Sequence, residues 1–325
     1  MKKFLNNPDF YVDESIEGIL AAHGDQLTMV EGRKRVIGRK NLERTGRVGL
    51  VTGGGSGHLP LFLGYVGQGM MDACAVGNVF ASPSAEAMYH AIRYADQGAG
   101  VICLFGNYGG DSMNFQMACE MAEMDGIVCR MIRVSDDVAS ASVEQKATRR
   151  GVAGLIPAYK VAGAAAEKGL SLDEVERVVQ KALDAMLSLG VAVAPCTLPQ
   201  VGKPNFSIGE DEPGISICRM MSADDTADLL VDKIDAEMRL QTGEEVLAEI
   251  NGLGATPLEE MYIVFRRVHQ LLDIRGVRIY KAYLGELATS MEMGGFSLTL
   301  MRLDQELTEM IAYPASTPFF TNSNL

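Results

Sequence analysis

Tryptophan is absent from this chain of 325 residues, which also contains only four histidines and six cysteines. The cysteines stand singly, without a Cys-x-x-Cys pair or a histidine at ligand spacing, which argues against a zinc site and against a disulfide framework. Basic residues are in deficit, with 29 lysines and arginines against 42 aspartates and glutamates. This balance argues against a nucleic-acid or anionic-membrane surface, because both need clustered basic side chains.

Long hydrophobic stretches are also missing. The first eight residues turn polar before an apolar core forms, so the sequence predicts no signal peptide. No later stretch approaches the ~20 apolar residues of a membrane span. We therefore expect a cytoplasmic protein with reduced thiols, whose partners include neither nucleic acid nor a membrane.

The chain does contain short apolar runs that alternate with helical patterns, which is typical of an α/β sheet with crossover helices. In the first part, strands are predicted at residues 46–52, 100–105, 127–134 and 190–194, and helices at 112–124 and 171–189. The second of these helices opens on a capping box at Ser171 and Glu174. The first unit is therefore predicted to be a sheet with crossover helices.

A proline-rich segment at residues 195–213 breaks this pattern. Beyond it, the sequence predicts helices at 222–240 and 258–273 and strands at 245–250, 277–284 and 296–303. We interpret this as a second, smaller α/β unit. The predicted domains are residues 1–199 and 200–325.

The strongest local signal is an apolar strand that runs directly into a glycine-rich segment ending on a histidine. The segment comprises Gly53, Gly54, Gly55, Ser56, Gly57 and His58. Glycines let backbone N–H groups approach an oxygen-rich ligand and permit positive φ angles, and histidine exchanges protons near neutral pH. The pattern predicts a substrate-binding loop with a catalytic histidine; the alternative is a tight turn in which His58 caps the next segment.

A second candidate segment, residues 106–111, follows the next predicted strand. It contains Asn107, which we predict to bind substrate, and it ends on Asp111. A carboxylate at a strand end accepts a proton or a hydrogen bond from a substrate hydroxyl, although Asp111 taken alone is equally explained as a helix cap. Because ligands bind beyond the carboxyl ends of strands in α/β sheets, we expect His58 and Asp111 to converge as an acid/base pair for a small polyol or ketose.

The chain resembles the DhaK subunit family of dihydroxyacetone kinases over essentially its whole length. The resemblance rests on GGGSGH at 53–58, GYVGQGM at 64–70, NYGGD at 107–111, RRGVA at 149–153, GAAAE at 163–167, LGATPL at 253–258 and GFSLTL at 295–300. Each motif alone is weak, but their order and spacing together identify the family. The fold that the resemblance implies is a two-domain α/β architecture.

The resemblance also implies roles and partners. The glycine-rich segment would bind a small ketose through its backbone, and His58 and Asp111 would contact its hydroxyls and transfer protons. The phosphoryl group would come from ATP or ADP, with magnesium, on a separate DhaL-type subunit, and a phosphotransferase-system protein would recharge the nucleotide where it stays bound. This chain would therefore bind neither cofactor nor metal itself. Like its family, it would form a homodimer.

One departure from the family pattern decides the expected mechanism. Family members carry a histidine that holds the ketose as a covalent hemiaminal, whereas this chain has Cys218 at that place and no histidine between His90 and His269. Three interpretations stay open: Cys218 is the nucleophile and gives a hemithioketal, the ketose is held without a covalent link, or the chain is a ligand sensor or co-regulator of polyol metabolism. The thiol of an unperturbed cysteine is mostly protonated at neutral pH, which weighs against the first.

A smaller departure concerns the substrate. Many dihydroxyacetone-specific members have a lysine where this chain has Gly106, and residues 134–140 look more like the branch that handles four-carbon ketoses such as erythrulose. A glycine at this position is expected to open space near the ligand. The sequence thus predicts a three- or four-carbon ketose as substrate.

Overall fold

A computed structural model describes residues 3–43, 45–201, 215–216 and 221–323. Within these residues the strands form a six-stranded sheet, a five-stranded sheet and a short two-stranded pair. The structure confirms the predicted α/β class. No helix among the described residues is both long and apolar enough to cross a membrane.

The first half of the chain builds the six-stranded sheet and its helices. Its elements are α1 (Tyr11–His23), β1 (Leu27–Met29), β2 (Val36–Arg39), β3 (Gly49–Ser56), β4 (Ala73–Val79), α2 (Ala85–Ala95), β5 (Val101–Gly106), α3 (Gly109–Met124), β6 (Cys129–Val134), α4 (Leu155–Glu167) and α5 (Leu172–Asp184). The strand order is β1-β2-β4-β3-β5-β6, in which β4, β3, β5 and β6 run parallel. This is the doubly wound arrangement expected from alternating strands and helices.

The second half builds the five-stranded sheet. Its elements are β7 (Met186–Ala194), β8 (Ile215–Ser216), α6 (Ala223–Met238), β9 (Glu245–Gly252), α7 (Leu258–Ile274), β10 (Arg278–Gly285), β11 (Gly294–Leu303), α8 (Gln305–Ala312), β12 (Ala315–Ser316) and β13 (Thr321–Asn322). The order of the sheet is β10-β9-β11-β7-β8, with β11 antiparallel to both neighbours. The division into 1–199 and 200–325 stays a prediction; β7, which lies before it, is hydrogen-bonded into this second sheet.

The predicted bounds of β7, with the helix before it, and of β3 need correction. The capping box at Ser171 is confirmed, but the helix it opens ends at Asp184 rather than near residue 189. Residues 186–189 instead begin β7, because they pair with β11. The strand predicted at 46–52 is β3, which begins at Gly49 and continues through the glycine-rich segment to Ser56.

The two sheets and their helices form successive layers. Helices α2 and α3 cover one face of the first sheet, where Ile92, Phe115 and Val51 belong to one buried core. The opposite face shares a large core with α1, α4, α5 and α8, and this core also takes Leu247 and Met301 from the second sheet. Helices α6 and α7 cover the outer face of the second sheet. The residues that follow the glycine-rich end of β3 also contact the second half of the chain, because the backbone N–H of Met291 donates to the Gly57 carbonyl.

Two helical glycines provide a matched test of this packing. A Cβ at Gly163 in α4 would overlap the Gly69 carbonyl, whereas a Cβ at Gly18 in α1 meets no atom within 4 Å. Alanine is favoured over glycine in both helices, by about 1 kcal/mol. We expect Gly163→Ala to lower the free energy of unfolding by about 1–3 kcal/mol and Gly18→Ala to raise it slightly. Urea unfolding of both variants measures this, and equal effects would contradict the close contact.

Candidate functional site

The candidate site lies at the switch point of the first sheet. Strand β3 pairs with β4 on one side and with β5 on the other, so the chain changes direction between β3 and β5. In open α/β sheets this point opens a crevice beyond the carboxyl ends of the strands. His58 follows β3 directly, and Asp111 follows β5 in the first turn of α3. The topology therefore brings together the two segments that the sequence predicts to converge.

The glycine-rich segment is a strand rather than the predicted loop. Gly53, Gly54, Gly55 and Ser56 are the last four residues of β3, and of the predicted substrate-binding residues only Gly57 has a positive φ, of 102°. A Cβ at Gly53 would lie 2.9 Å from the Ala75 carbonyl oxygen, and one at Gly54 would overlap the ring of Phe62. Close packing thus requires these glycines, so the expected nest of positive φ angles is wrong for all but Gly57.

His58 is held in one orientation at the end of β3. Its Nδ1 lies 2.7 Å from the carbonyl oxygen of Thr289, its ring centroid lies 4.9 Å from that of Phe80, and the side chain is half-buried. A carbonyl only accepts hydrogen bonds, so Nδ1 carries the proton and Nε2 keeps its lone pair. Burial lowers the pKa of His58 below 6.5, and the bond to Thr289 opposes this effect. The ring is therefore neutral at pH 7 and Nε2 is a proton acceptor.

Asp111 carries a buried carboxylate near the start of α3. The residue is 7 % exposed, and its Oδ1 has no hydrogen-bond partner among the described residues. Burial raises the pKa of Asp111 to about 6, against the opposing effect of the Ser82 hydroxyl. A buried carboxylate oxygen is costly unless it accepts a hydrogen bond, so Oδ1 is suited to a ligand hydroxyl. Since α3 has no side-chain cap, Asp111 does not serve as the helix cap.

One short loop contacts both candidate residues. Phe80, which follows β4, packs its ring against that of His58. Two residues further along the loop, the Ser82 side chain is hydrogen-bonded to the carboxylate of Asp111. The backbone of this loop also fits closely against β3, because a Cβ at Gly55 would lie 2.8 Å from the Ala81 nitrogen. His58 and Asp111 therefore both contact residues 80–82.

The side-chain amide of Asn107 is hydrogen-bonded to the backbone. Its Nδ2 donates to the carbonyl oxygens of Ala147, at 3.1 Å, and Arg149, at 2.8 Å. These bonds use both N–H groups of the amide and leave Oδ1 as the part that can face a ligand. The predicted role of Asn107 in substrate binding therefore stays a prediction that rests on Oδ1.

Gly106 makes room for a neighbouring ring rather than for a ligand. A Cβ at Gly106 would lie 3.0 Å from Cε2 of Tyr108, whose hydroxyl donates to the Gly151 carbonyl at 3.0 Å. The expectation that this glycine opens space near the ligand is therefore wrong. Tyr108 fills that space.

A cavity of about 260 Å³ is lined by the end of the glycine-rich strand. Its lining includes the predicted substrate-binding residues Gly54, Gly55, Ser56 and Gly57, together with apolar side chains of α1 and the charged side chains of Lys3 and Glu292. Neither His58 nor Asp111 lines it. The cavity therefore contains part of the predicted substrate-binding segment but neither of the two candidate proton-transfer residues.

Within the described part of the chain, no three histidine, cysteine, aspartate or glutamate side chains are grouped to hold a metal ion. Five cysteines lie in this part, and all of them are buried. Cys218, a candidate catalytic residue and the nucleophile in one of the three open interpretations, lies outside the described residues. The titratable candidate residues that the structure places at the switch point are His58 and Asp111, and their role in proton transfer stays a prediction.

A family model described as the Dak1 domain matches residues 17–319 of the chain. The chain belongs to the Dak1 domain family. This confirms the resemblance found in the sequence.

Among curated relatives of this Dak1 chain, the DhaK dihydroxyacetone-binding subunit of a PTS-dependent dihydroxyacetone kinase 1 from Listeria innocua is 43 % identical over 328 residues. That alignment covers 98 % of this chain and 99 % of the relative. An L-erythrulose 1-kinase from Mycolicibacterium smegmatis is 42 % identical over 334 residues, covering 98 % of this chain but 58 % of the relative. The chain thus spans the full length of a separate subunit and somewhat more than half of a longer kinase.

Two solved structures support the same architecture. The dihydroxyacetone kinase of C. freundii superimposes with a TM-score of 0.88 at 32 % identity, over 99 % of this chain and 60 % of that one. A dihydroxyacetone kinase operon co-activator, DhaQ, superimposes with a TM-score of 0.85 at 31 % identity, over 93 % of this chain and 96 % of that one. The Dak1 fold therefore occurs in both a kinase and a co-activator.

Sequence reasoning missed the groups that orient the two candidate residues. Thr289 contributes a backbone carbonyl, which leaves no signal in the amino-acid sequence. Ser82 and Phe80 lie in the loop after β4, where nothing in the local pattern distinguishes them from ordinary turn residues.

Proposed function

We propose that this chain is the ketose-binding subunit of a dihydroxyacetone-type kinase, which presents a small ketose for phosphoryl transfer from a nucleotide on a separate DhaL-type subunit. The observation that carries the proposal is that the buried Oδ1 of Asp111, unpartnered among the described residues, lies at the same switch point as the Nε2 lone pair of His58. Membership of the Dak1 family and the names of full-length relatives support it.

The two groups suit the chemistry of this transfer. The hydroxyl oxygen that attacks the phosphoryl group must lose its proton, and a positioned base accelerates such a step by about 10²–10⁴-fold. At pH 7 Asp111, with a pKa of about 6, is mostly ionised, and His58 is neutral. Either acceptor can take the proton, while the other holds a second hydroxyl. The chain supplies binding and proton transfer. The partner supplies the phosphoryl group from a nucleotide with magnesium, either from ATP or from bound ADP that a phosphotransferase-system protein has rephosphorylated.

The substrate in this proposal is a three- or four-carbon ketose. Names of similar proteins include both dihydroxyacetone and erythrulose kinases. The homodimer and the cytoplasmic location expected from the sequence belong to the same proposal.

The test measures the melting temperature of the purified chain at increasing concentrations of dihydroxyacetone and of erythrulose. Glycerol is the control ligand, because it lacks a carbonyl group. We expect one of the two ketoses to raise the melting temperature and to be phosphorylated once a DhaL-type subunit, nucleotide and magnesium are added. Failure of both ketoses to stabilise the chain would contradict the ligand class. Stabilisation without any phosphoryl transfer would favour the sensor or co-regulator, as the likeness to an operon co-activator allows.

Cys218 is tested in the same samples by intact-protein mass spectrometry. If it is the nucleophile, its sulfur bonds to the carbonyl carbon, its proton passes to the carbonyl oxygen, and the protein gains the mass of one ketose. We expect Cys218→Ser to lose that adduct. Stabilisation by ketose without an adduct would assign non-covalent binding and remove Cys218 from the mechanism.

A further inference from the structure

Residues 287–291, between β10 and β11, are hydrogen-bonded to the end of the glycine-rich strand. The backbone nitrogen of Thr289 donates to the His58 carbonyl at 3.2 Å, and that of Met291 donates to the Gly57 carbonyl at 2.7 Å. The Thr289 hydroxyl donates to the Leu59 carbonyl at 3.0 Å. The Thr289 carbonyl therefore reaches His58 from a segment that follows the histidine backbone closely.

Asn251, in β9, anchors this segment. Its Oδ1 accepts the backbone N–H groups of Leu287, at 2.9 Å, and Ala288, at 2.7 Å. Its Nδ2 donates to the Ala288 carbonyl at 2.8 Å and to the Ser297 hydroxyl at 3.2 Å. The side chain is 1 % exposed, so it is out of reach of a ligand, and all of its hydrogen-bonding groups are used.

A second side chain strengthens the anchor. The hydroxyl of Tyr65, a fully buried residue, donates to the Leu287 carbonyl at 2.7 Å. Leu287 and Ala288 are thus held at both N–H groups and both carbonyl oxygens, immediately before Thr289. Two buried side chains, one from each half of the chain, therefore fix the residues that lead into Thr289, in addition to the hydrogen bonds of Thr289 and Met291 to residues 57–59.

We propose that Asn251 is a positioning residue for His58. By holding residues 287 and 288 it fixes the Thr289 carbonyl, which keeps the proton on Nδ1 of His58 and leaves the Nε2 lone pair directed at the site. The importance of this for catalysis rests on the proposed function. The control of the His58 tautomer does not, because it follows from the hydrogen bonds of the chain itself.

The residue type at position 251 matters because both acceptor and donor are needed. Aspartate has nearly the same shape and keeps the acceptor for Leu287 and Ala288. It lacks the N–H groups that bond to Ala288 and Ser297, and it places a carboxylate oxygen against the Ala288 carbonyl. Asn251→Asp is therefore expected to move this segment and to loosen the bond between Thr289 and His58.

The test measures the tautomer of His58 by nitrogen NMR of histidine-labelled protein at pH 8, where the ring is neutral. His58→Asn assigns the signal. The control is Asn322→Asp, because Asn322 is also buried and donates to two backbone carbonyls, those of Ile311 and Tyr313, away from His58. We expect a single Nδ1–H tautomer in the wild type and in the control, and a mixture of tautomers in Asn251→Asp.

Tyr65→Phe provides a second, milder variant that removes one hydroxyl, with Tyr94→Phe as its control, since Tyr94 donates to the Arg39 carbonyl elsewhere. We expect Tyr65→Phe to shift the tautomers of His58 in the same direction but less than Asn251→Asp, and we expect no shift in Tyr94→Phe.

In the reconstituted kinase, Asn251→Asp should lower kcat by about tenfold to a hundredfold with little change in KM. An unchanged His58 tautomer in both site variants would overturn the proposal. A changed tautomer with unaltered kcat would keep it and would instead contradict the catalytic role of His58.

Discussion

Replacing Asp111 by asparagine is expected to lower the rate of phosphoryl transfer by about 10²–10⁴-fold, with the chain still folded. The amide keeps the size of the carboxyl group but cannot accept the proton of a substrate hydroxyl. The measurement is ketose phosphorylation by the chain together with a DhaL-type subunit. Asp125→Asn is the control, because this exposed aspartate lies at the other end of the same helix and pairs with Tyr89; its rate should equal that of the wild type.

Stability measurements separate loss of catalysis from loss of fold. In the unfolded chain the pKa of Asp111 is 3.8, and in the folded chain burial raises it to about 6, so the folded state binds more protons between these pH values. The wild type therefore loses about 3 kcal/mol of stability from this group as the pH rises from below 4 to above 6. The amide introduced by Asp111→Asn does not titrate, so the variant should be no less stable than the wild type at pH 8. A rate within a few-fold of the wild type would remove Asp111 from the mechanism.

The sequence was sufficient to predict that His58 and Asp111 lie near each other, because the strands that precede them are recognisable as apolar runs. The apolar runs predicted at 46–52 and 100–105 correspond to β3 and β5, and in a parallel sheet their carboxyl ends share one edge. That rule alone placed His58 and Asp111 at the same crevice. The strand order β4-β3-β5, which puts the switch point between them, required the structure.

The glycine-rich segment was harder to predict because glycine weakens strands on average. Gly53 and Gly54 are nevertheless in β3, since Ala75 and Phe62 approach the strand too closely for any side chain. Nothing in the sequence around Gly53 and Gly54 indicates that Ala75 and Phe62 contact them. The same limitation hid the orientation of His58, because its partner is a backbone carbonyl 231 residues away. Patterns along the chain identify groups that do chemistry, whereas long-range backbone contacts decide how those groups are oriented.

His58→Asn is the second substitution with a large expected effect. Asparagine retains an N–H that can donate to the Thr289 carbonyl, but it has no titratable nitrogen in place of Nε2. We expect the rate of phosphoryl transfer to fall by about 10²–10⁴-fold if the histidine accepts or delivers the proton. The control is His269→Asn, which changes an exposed histidine of α7, and its rate should not change.

The pH dependence of kcat/KM distinguishes the two candidate groups. Burial holds the pKa of His58 below 6.5, and that of Asp111 is about 6, so the wild-type rate should fall as the pH drops below this range and both groups take up protons. In His58→Asn the remaining fall should follow Asp111 alone, with an apparent pKa of about 6. A variant that keeps the wild-type rate and profile would show that Nε2 of His58 takes no part in proton transfer, and Asp111 would then be the single base of the site.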